Sequence, residues 1–142
     1  MTMVMPPDLE LWICTYLRAQ LADVSGLKVS NREPDDYSGS VPLIVVRDDG
    51  GSQSDRLLFD RSVGVTVRYG PRNSPKKCRD LAARVYGLLT DPSVCLVEGS
   101  PIAGISEDGC NGPYAVAEDA DIARFYMVFE FSAVGTVENT EI

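Results

Sequence analysis

Any chemistry in this chain has to come from carboxylates, thiols or cationic side chains, because the sequence contains no histidine. That excludes a Ser–His–Asp triad, a Cys–His dyad, an imidazole general base and every His-ligated metal site. The carboxylates come in adjacent pairs: Asp35-Asp36, Asp48-Asp49, Glu107-Asp108, and Glu118-Asp119 followed by Asp121. Paired carboxylates can hold a hard cation or serve as acid and base. Adjacent side chains point to opposite faces of a strand, however, and in a turn they face water, so solvated turn residues are the simpler reading. Asp48-Asp49-Gly50-Gly51 also lacks the alternating ligands and closing Glu of an EF-hand loop.

The thiols are no more promising. Cys14, Cys78, Cys95 and Cys110 form no C-x-x-C pair and no zinc set, so they read as small buried side chains in a reducing compartment. Cys110 lies in a glycine-rich stretch and is the one whose exposure is worth testing. The glycines match neither a P-loop nor a dinucleotide fingerprint. No catalytic, cofactor-binding or metal-ligating residue is assigned.

Through the middle of the chain the basic residues are spread as Arg47, Arg56, Arg61 and then a local run, Arg68, Arg72, Lys76, Lys77 and Arg79. The run is either a solvated helix start or one half of a subunit contact that meets the acidic turns of a neighbour. Opposite-sign patches on one chain suit a head-to-tail ring. Arg47, Asp48, Asp49, Arg56, Arg61, Arg68, Arg72, Lys76 and Lys77 are therefore the candidate residues for contact with other subunits or with partner proteins. A net charge of −8 argues against a broad basic face for reading nucleic acid.

These residues need elements to hold them. At 142 residues the chain is one domain's worth, with a core large enough to need no disulfide staple. Pro6-Pro7-Asp8 opens a helix whose stripe is Leu9, Trp12, Ile13, Tyr16, Leu17 and Leu21, ending at Ser25-Gly26. A short strand follows at Leu27, Val29 and Asn31. Glu33 to Ser40 is a polar loop, Val41 to Arg47 a strand apolar nearly throughout, and Asp48 to Ser52 a turn cluster. Asp55 to Tyr69 contains a long strand, clearest at Val63, Val65 and Val67, which pairs with Val41 to Arg47 as an antiparallel hairpin.

Ser74-Pro75 starts a second helix, with Ser as N-cap and with Cys78, Leu81, Ala82, Val85, Leu88 and Leu89 on one face; Asp91-Pro92 ends it. Val94 to Val97, Ile102 to Ile105 and Tyr114 to Val116 are short strand candidates. Arg124 to Val134 is the clearest strand, with Phe125, Met127, Phe129, Phe131 and Ala133 on one side. The expectation is a single α+β domain over residues 1–134, a mainly antiparallel sheet with two amphipathic helices on one face. Residues 135–142 form a polar tail, mobile or ordered at an interface. The N-terminal stretch does not read as a signal peptide and no segment is long enough to span a bilayer, so synthesis in the cytoplasm without membrane attachment is expected.

The order and spacing of these pieces resemble the tail terminator proteins of long, non-contractile-tailed (siphovirus-type) bacteriophages, of the kind found in actinobacterial phages. The matching pieces are Asp8 to Leu21, Val29-Ser30-Asn31-Arg32, Val45-Val46-Arg47-Asp48-Asp49-Gly50-Gly51 and Val63-Gly64-Val65-Thr66-Val67. The Ser74 to Leu89 helix, Gly112-Pro113-Tyr114 and Arg124-Phe125-Tyr126 complete the set. None is a catalytic signature. Related neck and tail-completion proteins share the size and element order.

The resemblance implies a non-enzymatic virion protein without cofactor, located at the head–tail junction. It implies a homohexameric ring that caps the finished tail tube, stops addition of the major tail tube protein and joins the head-completion protein. Double-stranded DNA passes through the lumen without sequence-specific binding. An acidic lumen fits such a passage, since each Lys or Arg contact to phosphate adds attraction. Strand edges and the Asp55 to Tyr69 hairpin are expected at subunit contacts. Competing readings are a head-closure or neck protein, a monomeric protein-binding module and a small metal-dependent hydrolase using a carboxylate pair.

Overall fold

A computed structural model of the chain describes residues 2–139. Helix α1, Leu9–Gln20, begins where the Asp8 carboxylate accepts a hydrogen bond from the Leu11 N–H at 3.1 Å, which satisfies one of the donors a helix start leaves open. Leu9, Ile13, Tyr16, Leu17 and Leu21 are buried, as their spacing requires, and Trp12 stacks on Tyr16. The chain turns through Leu21 and Val24 into strand β2, Lys28–Ser30. Strand β3, Leu43–Asp48, lies parallel to β2. Strand β4, Leu58–Arg68, is antiparallel to β3.

The hairpin from β3 to β4 closes later than the turn cluster implies. Asp49 and Gly50 still bond to Ser62, Ser52 still bonds to Asp60, and the tip lies at Asp55–Leu57, where Leu58 and Asp55 bond each other. Gly51 is used instead for close approach: a Cβ there would collide with the Asp60 carbonyl.

Helix α2, Lys76–Thr90, follows β4 without a serine cap. The Ser74 N–H bonds the Pro71 carbonyl in a turn, and Pro75 takes the cap position in helical geometry. Cys78, Leu81, Ala82, Val85 and Leu89 are buried. The segment expected as a strand at 94–97 is instead a 3-10 turn over Pro92–Cys95. The Asp91 carboxylate accepts from the Ser93 N–H at 2.9 Å, and Pro92 supplies the fixed φ of a helical start.

Strands β5, Ile102–Ile105, β6, Asn111–Ala115, and β7, Arg124–Val134, complete the main sheet, in the order β2-β3-β4-β7-β5. β4 and β7 pair antiparallel over their whole length, from Leu58 opposite Val134 to Arg68 opposite Arg124. The outer edge of β7 is shared by β6 near Arg124 and β5 near Ala133. Val63, Val65, Val67, Ile44, Val46, Phe125, Met127, Phe129 and Phe131 join the buried faces of both helices in one core. The protein is thus α+β, with a mostly antiparallel sheet and both helices on one face.

The expected tail is a correction. Strand β8, Thr136–Asn139, pairs antiparallel with an N-terminal strand, β1, Thr2–Met5, as a separate two-stranded ribbon. Gly135 makes the junction possible: a Cβ there would lie 2.6 Å from the Phe59 ring and 2.7 Å from Val4, so only glycine lets the ribbon root against β4. The remainder of the expected tail, 140–142, lies outside the described residues. Among the described residues no helix is long and apolar enough to cross a membrane.

Candidate functional site

The even-numbered residues of β4 point away from the helices, so Arg68 lands on the opposite face of the sheet. There the antiparallel register places it directly across from Arg124. Two like charges in that position repel, and the sequence answers with two carboxylates carried on loops. Glu118 lies 2.9 Å from Arg68 and 3.3 Å from Arg124; Glu33 lies 3.5 Å from Arg68 and 3.4 Å from Arg124. The Tyr37 ring stacks 4.8 Å from the Arg68 guanidinium, and its hydroxyl sits 2.6 Å and 2.8 Å from the Val41 and Arg68 carbonyls. Burial pushes the Tyr37 hydroxyl up to about 12. This cluster pins the 31–42 and 115–123 loops to the sheet.

The candidate contact residues separate into two groups. Arg68 is buried and engaged within the chain, with Glu33 and Glu118 on its two terminal nitrogens. Arg72 is tied to the same loop, its backbone N–H to Asp121 and its guanidinium to the Glu118 carbonyl. Arg61 is half-buried, with its guanidinium 5.4 Å from the centre of the Phe59 ring. Arg47, Arg56, Lys76 and Lys77 are exposed. Arg47 lies 3.4 Å from Asp49, Arg56 reaches the Thr2 carbonyl at 3.5 Å, and Lys76 pairs with Asp80 at 2.9 Å. Lys77 meets no carboxylate among the described residues.

Asp48 and Asp49 do not converge. The Asp48 carboxylate accepts from the Gly50 N–H at 2.8 Å, and the Asp48 N–H donates to Glu10 at 2.8 Å. The Asp49 side chain faces Arg47. Among the described residues no three Cys, Asp or Glu side chains gather as metal ligands would. All four thiols are pushed up, by burial first; Cys78 reaches about 11. A thiol so shifted stays protonated and is a poor nucleophile. Cys110, the thiol singled out for its glycine-rich stretch, is buried with Cys14 and Cys78, while Cys95 is half-buried.

The more telling surface is apolar. Met3, Leu57, Val134 and Val137 are exposed large hydrophobic residues, all at the Leu58–Val134 end of β4 and β7 or on the ribbon rooted there. At the Arg68–Arg124 end a depression is lined by Val24, Pro42, Tyr69, Leu81, Lys77, Asp80 and Arg84. Sequence reading missed the ribbon, the carboxylate partners Glu33 and Glu118, and Tyr37. The signals available were an apolar Met3-Val4-Met5 ahead of Pro6-Pro7, and an Arg at the matching end of each of two long strands, Arg68 closing β4 and Arg124 opening β7. Neither a family model nor a curated protein sequence matches the chain.

Proposed function

We propose that this chain is a structural virion subunit of a tailed phage. It assembles as a homohexameric ring on the finished tail tube, ends addition of the major tail tube protein and offers the surface that joins the head-completion protein. The observation that carries this reading is where the exposed apolar side chains sit. Met3, Leu57, Val134 and Val137 gather on the ribbon and at the Leu58–Val134 end of β4 and β7, apart from other exposed apolar residues such as Leu11 on α1, Leu96 and Tyr114. Exposed apolar side chains gathered at one end of a polar domain mark contact with other proteins. The element order and motif spacing that resemble tail terminators support the same reading.

The ring's lumen is lined by some of the exposed acidic turns, so that DNA crosses without adhering. A ring structure with a lumen lined mainly by Lys and Arg would contradict this part. The role itself is tested by electron microscopy of tails assembled without the chain. Overlong tails are expected. Tails of normal length that fail to join heads would replace this reading with that of a neck protein, which the shared size and element order leave as the second choice.

A further inference from the structure

The β1–β8 ribbon is an incomplete structure by itself. A two-stranded ribbon is marginal in water without packing, and among the described residues both of its outer edges are unpaired. Across the pair, Val4 stands opposite Val137 and Met3 opposite Glu138, so the two pairs lie on opposite faces. Val137 and Met3 are both exposed. The ribbon therefore shows an apolar residue on each face and needs cover on both.

The matching cavity lies at the other end of the sheet. β4 spans 11 residues, about 33 Å at the usual rise per residue, so a chain cannot fold its ribbon into its own depression. The floor there is apolar, from Val24, Pro42, Tyr69 and Leu81. Two cations rim it. Arg84 is held by Asp23 at 3.0 Å, whereas Lys77 meets no carboxylate. Glu138 on the ribbon likewise meets no cation among the described residues. A lone exposed Glu beside Met3 and a lone exposed Lys beside an apolar floor are complementary in polarity and charge.

We infer that the ribbon of one copy docks in the Val24–Tyr69–Leu81 groove of the next copy, with Glu138 meeting Lys77. The contact joins two different surfaces, so it propagates head to tail and closes into a ring when the rotation permits. This inference rests on the proposed ring subunit and names the surfaces that build it.

Disulfide trapping with the full chain tests it. In a Cys95→Ser background the remaining native thiols are buried, and Lys77→Cys and Glu138→Cys are made as separate proteins. Under mild oxidation, a mixture of the two is expected to give a cross-linked dimer that neither gives alone. In light scattering, Lys77→Glu or Glu138→Lys alone weakens self-association by about tenfold or more, and the two together restore it. Both sites are exposed, and circular dichroism checks that the fold is kept. No cross-link in the mixture, or equal cross-linking by each variant alone, overturns the contact. If tubes are capped normally while the mixture stays uncross-linked, the contact fails and the terminator reading stands. Efficient cross-linking together with normal-length tails in the chain's absence keeps the contact and removes that reading.

Discussion

On the helix side of β4 and β7, Val63, Val65, Val67, Phe125, Met127 and Phe129 lie sealed beneath α1 and α2. On the other side, Gly64, Thr66, Arg68, Tyr126 and Arg124 meet no helix, and two loops are drawn over them by Glu33, Tyr37 and Glu118. The first face is covered by apolar burial, which is non-directional and tolerates sliding. The second is covered by ion pairs and hydrogen bonds, which hold only in one geometry. The same two strands are thus anchored by bulk on one side and by register on the other.

The largest test of this contrast is on the helix side. Phe129 is fully buried and stacks with Phe131 at 6.0 Å. Phe129→Ala is expected to cost about 4 kcal/mol in urea unfolding, from lost transfer energy and the cavity left behind.

On the polar side, Arg68→Ala leaves Glu33 and Glu118 with Arg124 as the one cation between them and an emptied buried site beside them. The expected loss is about 3 kcal/mol by the same measurement. The double variant Arg68→Leu/Glu118→Leu recovers most of it, since no unpaired buried charge remains and Arg124 keeps Glu33. A double variant as damaged as the single one would show that the cluster is held by packing and not by charge.

The smallest effect is Tyr37→Phe, which removes one hydroxyl and is expected to cost about 1 kcal/mol at neutral pH. It carries a second readout. The Tyr37 hydroxyl rises from 10.0 in the unfolded chain to about 12 in the fold, through burial. Its contribution is therefore complete below pH 10 and is lost as the pH climbs toward about 12. The urea midpoint of the parent should fall more steeply than that of Tyr37→Phe across that window. Parallel curves would show that the hydroxyl is not buried as described.

The helix-side face was legible because it is written locally: stripes at three- and four-residue steps, and alternation in Val63–Val67 and Phe125–Ala133. The errors fall where distant residues decide. Val94 to Val97 has strand composition, but the Asp91 cap and Pro92 impose a 3-10 turn. Gly50-Gly51 has turn composition, but Gly51 serves passage beside Asp60. Thr136 to Asn139 looked like a polar tail because its partner, Thr2 to Met5, lies at the other end of the sequence. The ion cluster was invisible for the same reason: Arg68 and Glu118 stand 50 residues apart, and nothing local announces their meeting.

That pairing of Thr2 with Asn139, 137 residues apart, sets an order of events during biosynthesis. β1 leaves the ribosome before the helices and the main sheet and has no partner until β8 emerges, after all of them. A nascent or prematurely released chain can bury its core yet cannot form the ribbon.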